Sequence, residues 1–358
     1  MIRFFFAGIM LMVFASSAAA EPSKEITKTV MSNAARNFIQ PAYSELVTSS
    51  LELKDAVVEL CQDPSKERLQ KARGAFSKTV EKWSAIELLR FGLITQENRL
   101  ERILFYPDRK STGLKQVQRI LANSDQTAVA VETLKNKSVA VQGLGALEFL
   151  LFGTDSETIA DGNKFRCNYA TAVSMNISNI SSELSDDWLD DSETMRIWGQ
   201  PGPGNPVLKK DLEAVNELLG LMVHGLEAIR DIRIGAFLRS EAKKDRPRVA
   251  IFRRSENTVA VLENNIRAVR QLFEMSDAGL LLKEEDQGIY GNIVFELKNA
   301  ENVAAQIPVP LSESLKDPDI RERIVYLRTS VNFAIEMLDQ DFAKAAGLSS
   351  GFSFSDGD

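Results

Sequence analysis

An all-α fold made of two helical-bundle halves is predicted on three grounds. Apolar residues recur at helical spacing in long runs. The most regular is the closing stretch, where Ile320, Ile324, Leu327, Val331, Ile335, Leu338 and Phe342 follow in steps of four and three. Strand-like alternation is scarce along the whole chain. The 11 prolines lie mostly at segment edges, which leaves long stretches free for uninterrupted helix.

Residues 1–20 read as a signal peptide. Arg3 precedes an apolar run from Phe4 to Phe14, and the small residues from Ser16 to Ala20 supply a cleavage site before Glu21. The run is too short to span a bilayer as an ordinary helix. No cysteine lies near the cut, so a lipid anchor is not expected.

Residues 21–198 form the expected first half. A long helix from Glu21 to Leu60 carries an early Pro41 that kinks or restarts it. Asp63-Pro64 supplies a cap and a first-turn proline for the next helix, whose face runs Leu69, Ala72, Phe76, Val80, Trp83 as far as Leu89, with Gly92 as a stop. Short helices follow over Glu97 to Asp108, Leu114 to Leu121 and Val129 to Lys135. A longer one runs from Phe165 to Leu184. Residues 199–207 are the linker, because GQPGPGNP packs three prolines and three glycines into eight residues. The second half, 208–346, holds helices from Leu208 to Ile234, from Arg246-Pro247 through Leu272, from Ile289 to Ile307, and from Asp317-Pro318 onward. Gly347 opens a tail over 347–358.

Composition narrows the function classes. At 358 residues the chain can hold one large or two ordinary domains. The net charge of −7 becomes −8 once residues 1–20 are removed, which gives a nucleic-acid role no electrostatic support. Nothing after the leader reaches about 18 consecutive apolar residues, so the mature chain has no transmembrane segment. An exported protein of a bacterial periplasm is the expectation. Export permits a disulfide between the two cysteines, Cys61 and Cys167, and the alternative is a pair of free buried thiols.

The stretch that carries most information is VQGLGALEFLLFG, Val141–Gly153, where Glu148 is the only charged residue. Apolar nearly all round, such a helix belongs inside a structure. Its carboxylate must there find a cationic or hydrogen-bonding partner, or stay protonated. Gly143 and Gly145 cost roughly 1 kcal/mol each in a helix interior relative to alanine, which suggests a close approach by another element. The segment only superficially resembles a dinucleotide-binding turn, since Glu148 stands where a third glycine is required and no strand–helix alternation surrounds it.

GLGALEFLLFG resembles the signature of imelysin-like proteins, G-x-H-x-x-E followed by an aromatic, two leucines, a bulky aromatic and glycine. Gly143, Glu148 and Phe149 to Gly153 match; the histidine position is Gly145. AFSKTVEKWSAIELLRFG and RLERILFYPD look like first-half segments of the exported imelysin-like branch, and GLSSGFSFSDGD is similar to the family's C-terminal ending. The resemblance runs over nearly the whole mature chain. It implies two bundle-like halves with the motif helix near their junction. It also implies an accessory role in iron or other metal acquisition, since family members often belong to iron-responsive uptake or surface systems.

The motif is proposed in that family to bind a metal, because His and Glu three apart share a helical face. Gly145 removes that ligand. The sole histidine, His224, lies in leucine-rich LLGLMVHGLEAIR, where a packed or hydrogen-bonded role is the plainer reading. Carboxylates alone could hold a hard cation such as calcium or ferric iron, and Glu87 and Glu148 are the acids to nominate. Arg90, Arg99, Arg102, Arg230 and Arg233 crowd the same segments, so a charged, hydrogen-bonded cluster between the halves is the favoured expectation. For Glu87 and Arg90, an intrahelical pair at the margin of a core is the competing reading. Gln142, Tyr106 and Asp108 complete the candidates; for Tyr106 and Asp108 ordinary turn and capping work is the alternative. The expected function is binding of a small anionic or metal-containing ligand, or of a periplasmic protein of a metal-uptake system, without catalysis. The alternative is a metal-dependent peptidase, which one histidine and no H-E-x-x-H leave short of ligands.

Overall fold

A computed structural model describes residues 22–348. Residues 1–21, which include the expected leader, and residues 349–358 of the tail lie outside the described residues. Every regular element described is helical, with no strand among the described residues. The long helices are α1 (Lys24–Asn33), α2 (Gln40–Gln62), α3 (Lys66–Ile86), α4 (Thr112–Asn123), α5 (Leu144–Phe152), α6 (Lys164–Asp186), α7 (Asp211–Glu227), α8 (Thr258–Met275), α9 (Gln287–Ala305) and α10 (Pro318–Glu336).

Local chemistry explains most of these limits. Ser65 caps α3 by accepting from the Arg68 N–H at 3.2 Å, so Asp63-Pro64 stands ahead of the cap rather than forming it. α3 stops at Ile86 instead of Leu89, and Gly92, at φ +77°, turns the chain away. Between α1 and α2 the expected single helix contains a π-helical turn, Ala34–Ile39, and Pro41 follows in the first turn of α2. Two more π turns extend α7 (Ala228–Ile234) and α10 (Met337–Phe342).

Two expected helices are corrected. Of Glu97 to Asp108 only Arg99–Ile103 is helical, and a cis peptide bond joins Tyr106 to Pro107. The stretch from Arg246 does not run helically to Leu272. It holds one 3₁₀ turn, Pro247–Val249, then an irregular segment in which Phe252 (φ +48°) and Glu256 (φ +60°) are left-handed, and α8 begins only at Thr258. The reason is tertiary, and it lies at Glu148.

Packing groups α2, α3 and α6, with α5 laid against α3 and α6. A second set joins α7, α8, α9 and α10. α1 lies on α7 and α3 on α8, and one continuous buried apolar cluster runs through both sets. Trp198, fully buried, donates its indole N–H to the Met31 carbonyl at 2.8 Å and meets Phe91 and Trp188 edge-on. Cys61 at the end of α2 and Cys167 in α6 form a disulfide across 106 residues, with 5.5 Å between their Cα atoms. In the chain-entropy account a loop of that length contributes about 3–5 kcal/mol.

Candidate functional site

Each end of α5 is tied by polar groups, as a helix without polar faces requires. At its start, Gly143 is the N-cap rather than an interior residue. A Cβ there would collide with the Ile103 carbonyl and lie 2.5 Å from the Arg102 carbonyl oxygen, so this glycine marks a close backbone approach. Gln142 accepts from Arg102 Nε at 3.1 Å and donates to the Lys137 carbonyl at 2.6 Å; Asn176 donates to its backbone oxygen at 3.1 Å. At the far end three carbonyls receive guanidinium groups: Arg166 donates to Phe149 (2.8 Å) and Leu150 (2.9 Å), and Arg73 to Leu151 (2.8 Å). Cations at a helix C-terminus both satisfy orphan carbonyls and oppose the macrodipole.

Glu148 sits between these ends, 4 % exposed. Its Oε1 accepts from the Arg254 N–H at 2.9 Å and the Ser255 N–H at 3.0 Å. The Ser255 hydroxyl is 3.0 Å from the same oxygen and 3.1 Å from the Phe252 carbonyl, and its single proton serves one at a time. Oε2 faces the Arg254 guanidinium at 3.7 Å, and that guanidinium lies over the Phe149 ring at 5.3 Å. Burial pushes the Glu148 carboxyl above the ordinary range, against the pull of the Ser255 amide and the Arg254 charge. The carboxylate therefore pins the left-handed turn at 252–256 to α5, which is why that segment is not helix.

A cavity of about 340 Å³ opens beside this clamp. Gly145 and Glu148 line it from α5, Tyr106 and Asp108 from the extended segment, and Arg248, Arg253 and Arg254 from the irregular one. Gly145 is exposed to it, and no atom lies within 4 Å of where its Cβ would stand. The close approach expected at both glycines holds for Gly143 alone. Asp108 caps α4, accepting from Thr112 N–H at 2.6 Å and Leu114 N–H at 3.2 Å. Tyr106 donates to the Val249 carbonyl at 3.2 Å, and burial raises the pKa of its phenol.

The other nominated residues lie apart from this cavity. Glu87 pairs with Arg233 at 2.7 Å and accepts from Asn265 at 2.9 Å, in a second, smaller cavity that Arg90 and His224 also line. His224 Nδ1 is 3.2 Å from Glu227. The Arg233 guanidinium stacks on the Tyr106 ring at 4.7 Å, which makes Tyr106 the link between the two places. Arg99 pairs with Glu183 (3.0 Å), Arg102 is held by Gln142 and Asn176 (both 3.1 Å), and Arg230 pairs with Asp231 (2.6 Å) and bonds Asn332 (2.7 Å). Glu87 and Glu148 thus do not share a site. Among the described residues no group of three or more His, Cys, Asp or Glu is placed to hold a metal. Sequence reasoning missed Arg73, Arg166, Arg248, Arg253, Arg254 and Ser255. For Arg248, Arg253, Arg254 and Ser255 the available signal is RPRVAIFRRS, with four arginines in ten residues; for Arg73 and Arg166 the sequence carries none.

The family model described as Imelysin (Peptidase M75) matches residues 39–336, more than half of the chain. No curated protein matches. Two solved structures share the fold: an imelysin-like protein from Psychrobacter arcticum 273-4 (18% identity, TM-score 0.79, covering 93% of this chain and 99% of that one) and a candidate iron-regulated protein A precursor from Parabacteroides distasonis ATCC 8503 (16%, 0.74, 92% and 97%).

The two glycines should respond oppositely. Gly143→Ala forces a methyl into backbone carbonyls and should cost at least about 2 kcal/mol in denaturant unfolding. Gly145→Ala meets open space in a helix and should be neutral or stabilising by up to about 1 kcal/mol. Equal effects would contradict the geometry. A raised carboxyl pKa in the folded state makes stability greatest below the unfolded value, near 4.5, and lowers it as pH climbs through the raised value. Glu148→Gln should flatten that slope, read as the difference between the two melting-temperature profiles; parallel profiles would contradict it.

Proposed function

The chain belongs to the imelysin family, and on that premise we propose that it is an exported, periplasmic binding protein serving iron or other metal acquisition without catalysis. The observation that carries the reading is the open cavity at Gly145 and Glu148, walled by Arg248, Arg253 and Arg254. Its size falls within the range of about 300–1,000 Å³ typical of small-ligand sites. Export is supported by the leader-like residues 1–20 and by the Cys61–Cys167 disulfide; the word "precursor" in the Parabacteroides name agrees with it. The iron assignment is supported by the same neighbour's name.

The donor set does not fit a bare metal ion. Gly145 offers no ligand, and both Asp108 oxygens accept helix N–H groups. Glu148 Oε1 already accepts from two backbone amides, and Oε2 faces a guanidinium. A cation entering there would displace bonds that hold the turn. The metal is better read as cargo, carried within an anionic chelate whose negative groups meet the arginines. The same shortage of ligands weighs against the metallopeptidase alternative, which needs typically three protein ligands and an open position for water.

Elemental analysis and thermal shifts on the purified protein separate these readings. Ferric iron supplied as a small anionic chelate should raise the melting temperature, whereas a zinc salt should leave it unchanged. Stoichiometric metal retained by the wild type and lost in Glu148→Gln would contradict the cargo reading. Chelator-sensitive peptide cleavage abolished by that variant would establish the peptidase instead.

A further inference from the structure

Arg248 and Arg253 differ from most guanidinium groups of this protein. Arg73, Arg99, Arg230, Arg233, Arg267, Arg270 and Arg321 each have an acidic partner, and Arg166 is held by carbonyls. Arg248 and Arg253 are exposed, and no carboxylate oxygen among the described residues lies within 4 Å of either. Both line the cavity of about 340 Å³, and both also line a neighbouring cavity of about 430 Å³. The second cavity is completed by Glu256, Val309, Pro310, Glu313 and Lys316, with Lys316 paired to Glu313 at 2.7 Å.

The position of Arg253 is set by the clamp next to it. Glu148 holds the amides of Arg254 and Ser255, so the preceding residue leaves a fixed turn and its side chain needs no ordering of the backbone to meet a ligand. Although Arg253 is exposed overall, partial desolvation beside the cavity disfavours its charged form, and the neighbouring Arg254 and Arg248 charges press the same way, with Glu148 opposing them. An anion arriving between these groups relieves their repulsion. Of the acids nearby, Asp108 and Glu148 already accept backbone N–H groups and Glu313 is paired, while Glu256 is exposed and lies more than 4 Å from either guanidinium.

We propose that Arg248 and Arg253 form the shared wall of one extended site and anchor a small ligand carrying two or more oxyanion groups, such as a tricarboxylate, across both cavities. The planar forks of two guanidiniums match paired carboxylates or phosphates equally well, and a ligand with two or more oxyanion groups can engage both cavities that these arginines line. This assignment deepens the reading of the Glu148 cavity as a ligand site and rests on it.

Calorimetric titration of the purified protein with citrate, pyrophosphate and acetate tests it. Citrate or pyrophosphate should bind, and which of them binds tighter identifies carboxylate or phosphate as the natural group. Acetate should be at least tenfold weaker. Arg248→Ala and Arg253→Ala should each weaken oligoanion binding tenfold or more. The lysine replacements should recover only part of the loss, because an ammonium lacks the fork. Both side chains are exposed, so ligand-free melting temperatures should stay at the wild-type value. No binding of either oligoanion, or undiminished binding in the double variant, would overturn the assignment. A ferric-chelate shift that persists unchanged in the double variant leaves the cavity reading standing while this one falls; its absence in the wild type removes the cavity reading itself.

Discussion

A carboxylate enclosed in apolar surroundings is the constraint from which the rest of the site follows. Glu148 lies in a helix with no other charged residue, and leaving its oxygens unpaired there would cost several kcal/mol. The chain meets the requirement with two backbone amides and a nearby guanidinium from a segment more than a hundred residues later in sequence. That demand runs both ways. The carboxylate is satisfied at the buried edge of the cavity, and the donating segment is held against α5 by the same bonds. Arg248, Arg253 and Arg254 then occur as cavity wall rather than as the exposed face of a helix.

Much of this was legible in residue order. Helical periodicity gave the long helices, and the isolation of Glu148 among leucines announced its burial. The even cysteine count in a chain with a leader-like start pointed to Cys61–Cys167, which form a disulfide. Gly143 was read as a place of close approach, and the Arg102 and Ile103 carbonyls lie against it. Glu87 and Arg233, both nominated, do pair. What escaped was the partner of Glu148, since the nominated arginines lie in segments that do not reach it. Long guanidinium side chains are instead recruited by whichever carbonyl or carboxylate the packing brings near. Arg99 and Arg102 therefore turned to Glu183 and to Gln142 and Asn176, while Arg73 and Arg166 took the end of the motif helix. The apolar VAIF run after Arg246-Pro247 favoured a helix by pattern; long-range hydrogen bonds, invisible to periodicity, overrode it.

The position that departs from the imelysin signature acquires a physical meaning here. Gly145 adds nothing to the packing, since a side chain there would meet no neighbour, and its effect is to leave a cavity open where an imidazole would project. With glycine at that position and Glu148 already engaged by two amides, the residues here offer little to coordinate an ion directly. The arginine wall beside Glu148 supplies charge of the opposite sign.

Native-state hydrogen exchange at the Arg254 and Ser255 amides tests the central claim most directly. These two N–H groups, in an irregular segment at the wall of an open cavity, should exchange as slowly as amides of the helix interiors, and Glu148→Ala should release both while leaving α2 and α6 protected. Exchange in the wild type as fast as at any exposed loop would show that the carboxylate does not hold the turn, and the account built on it would fail.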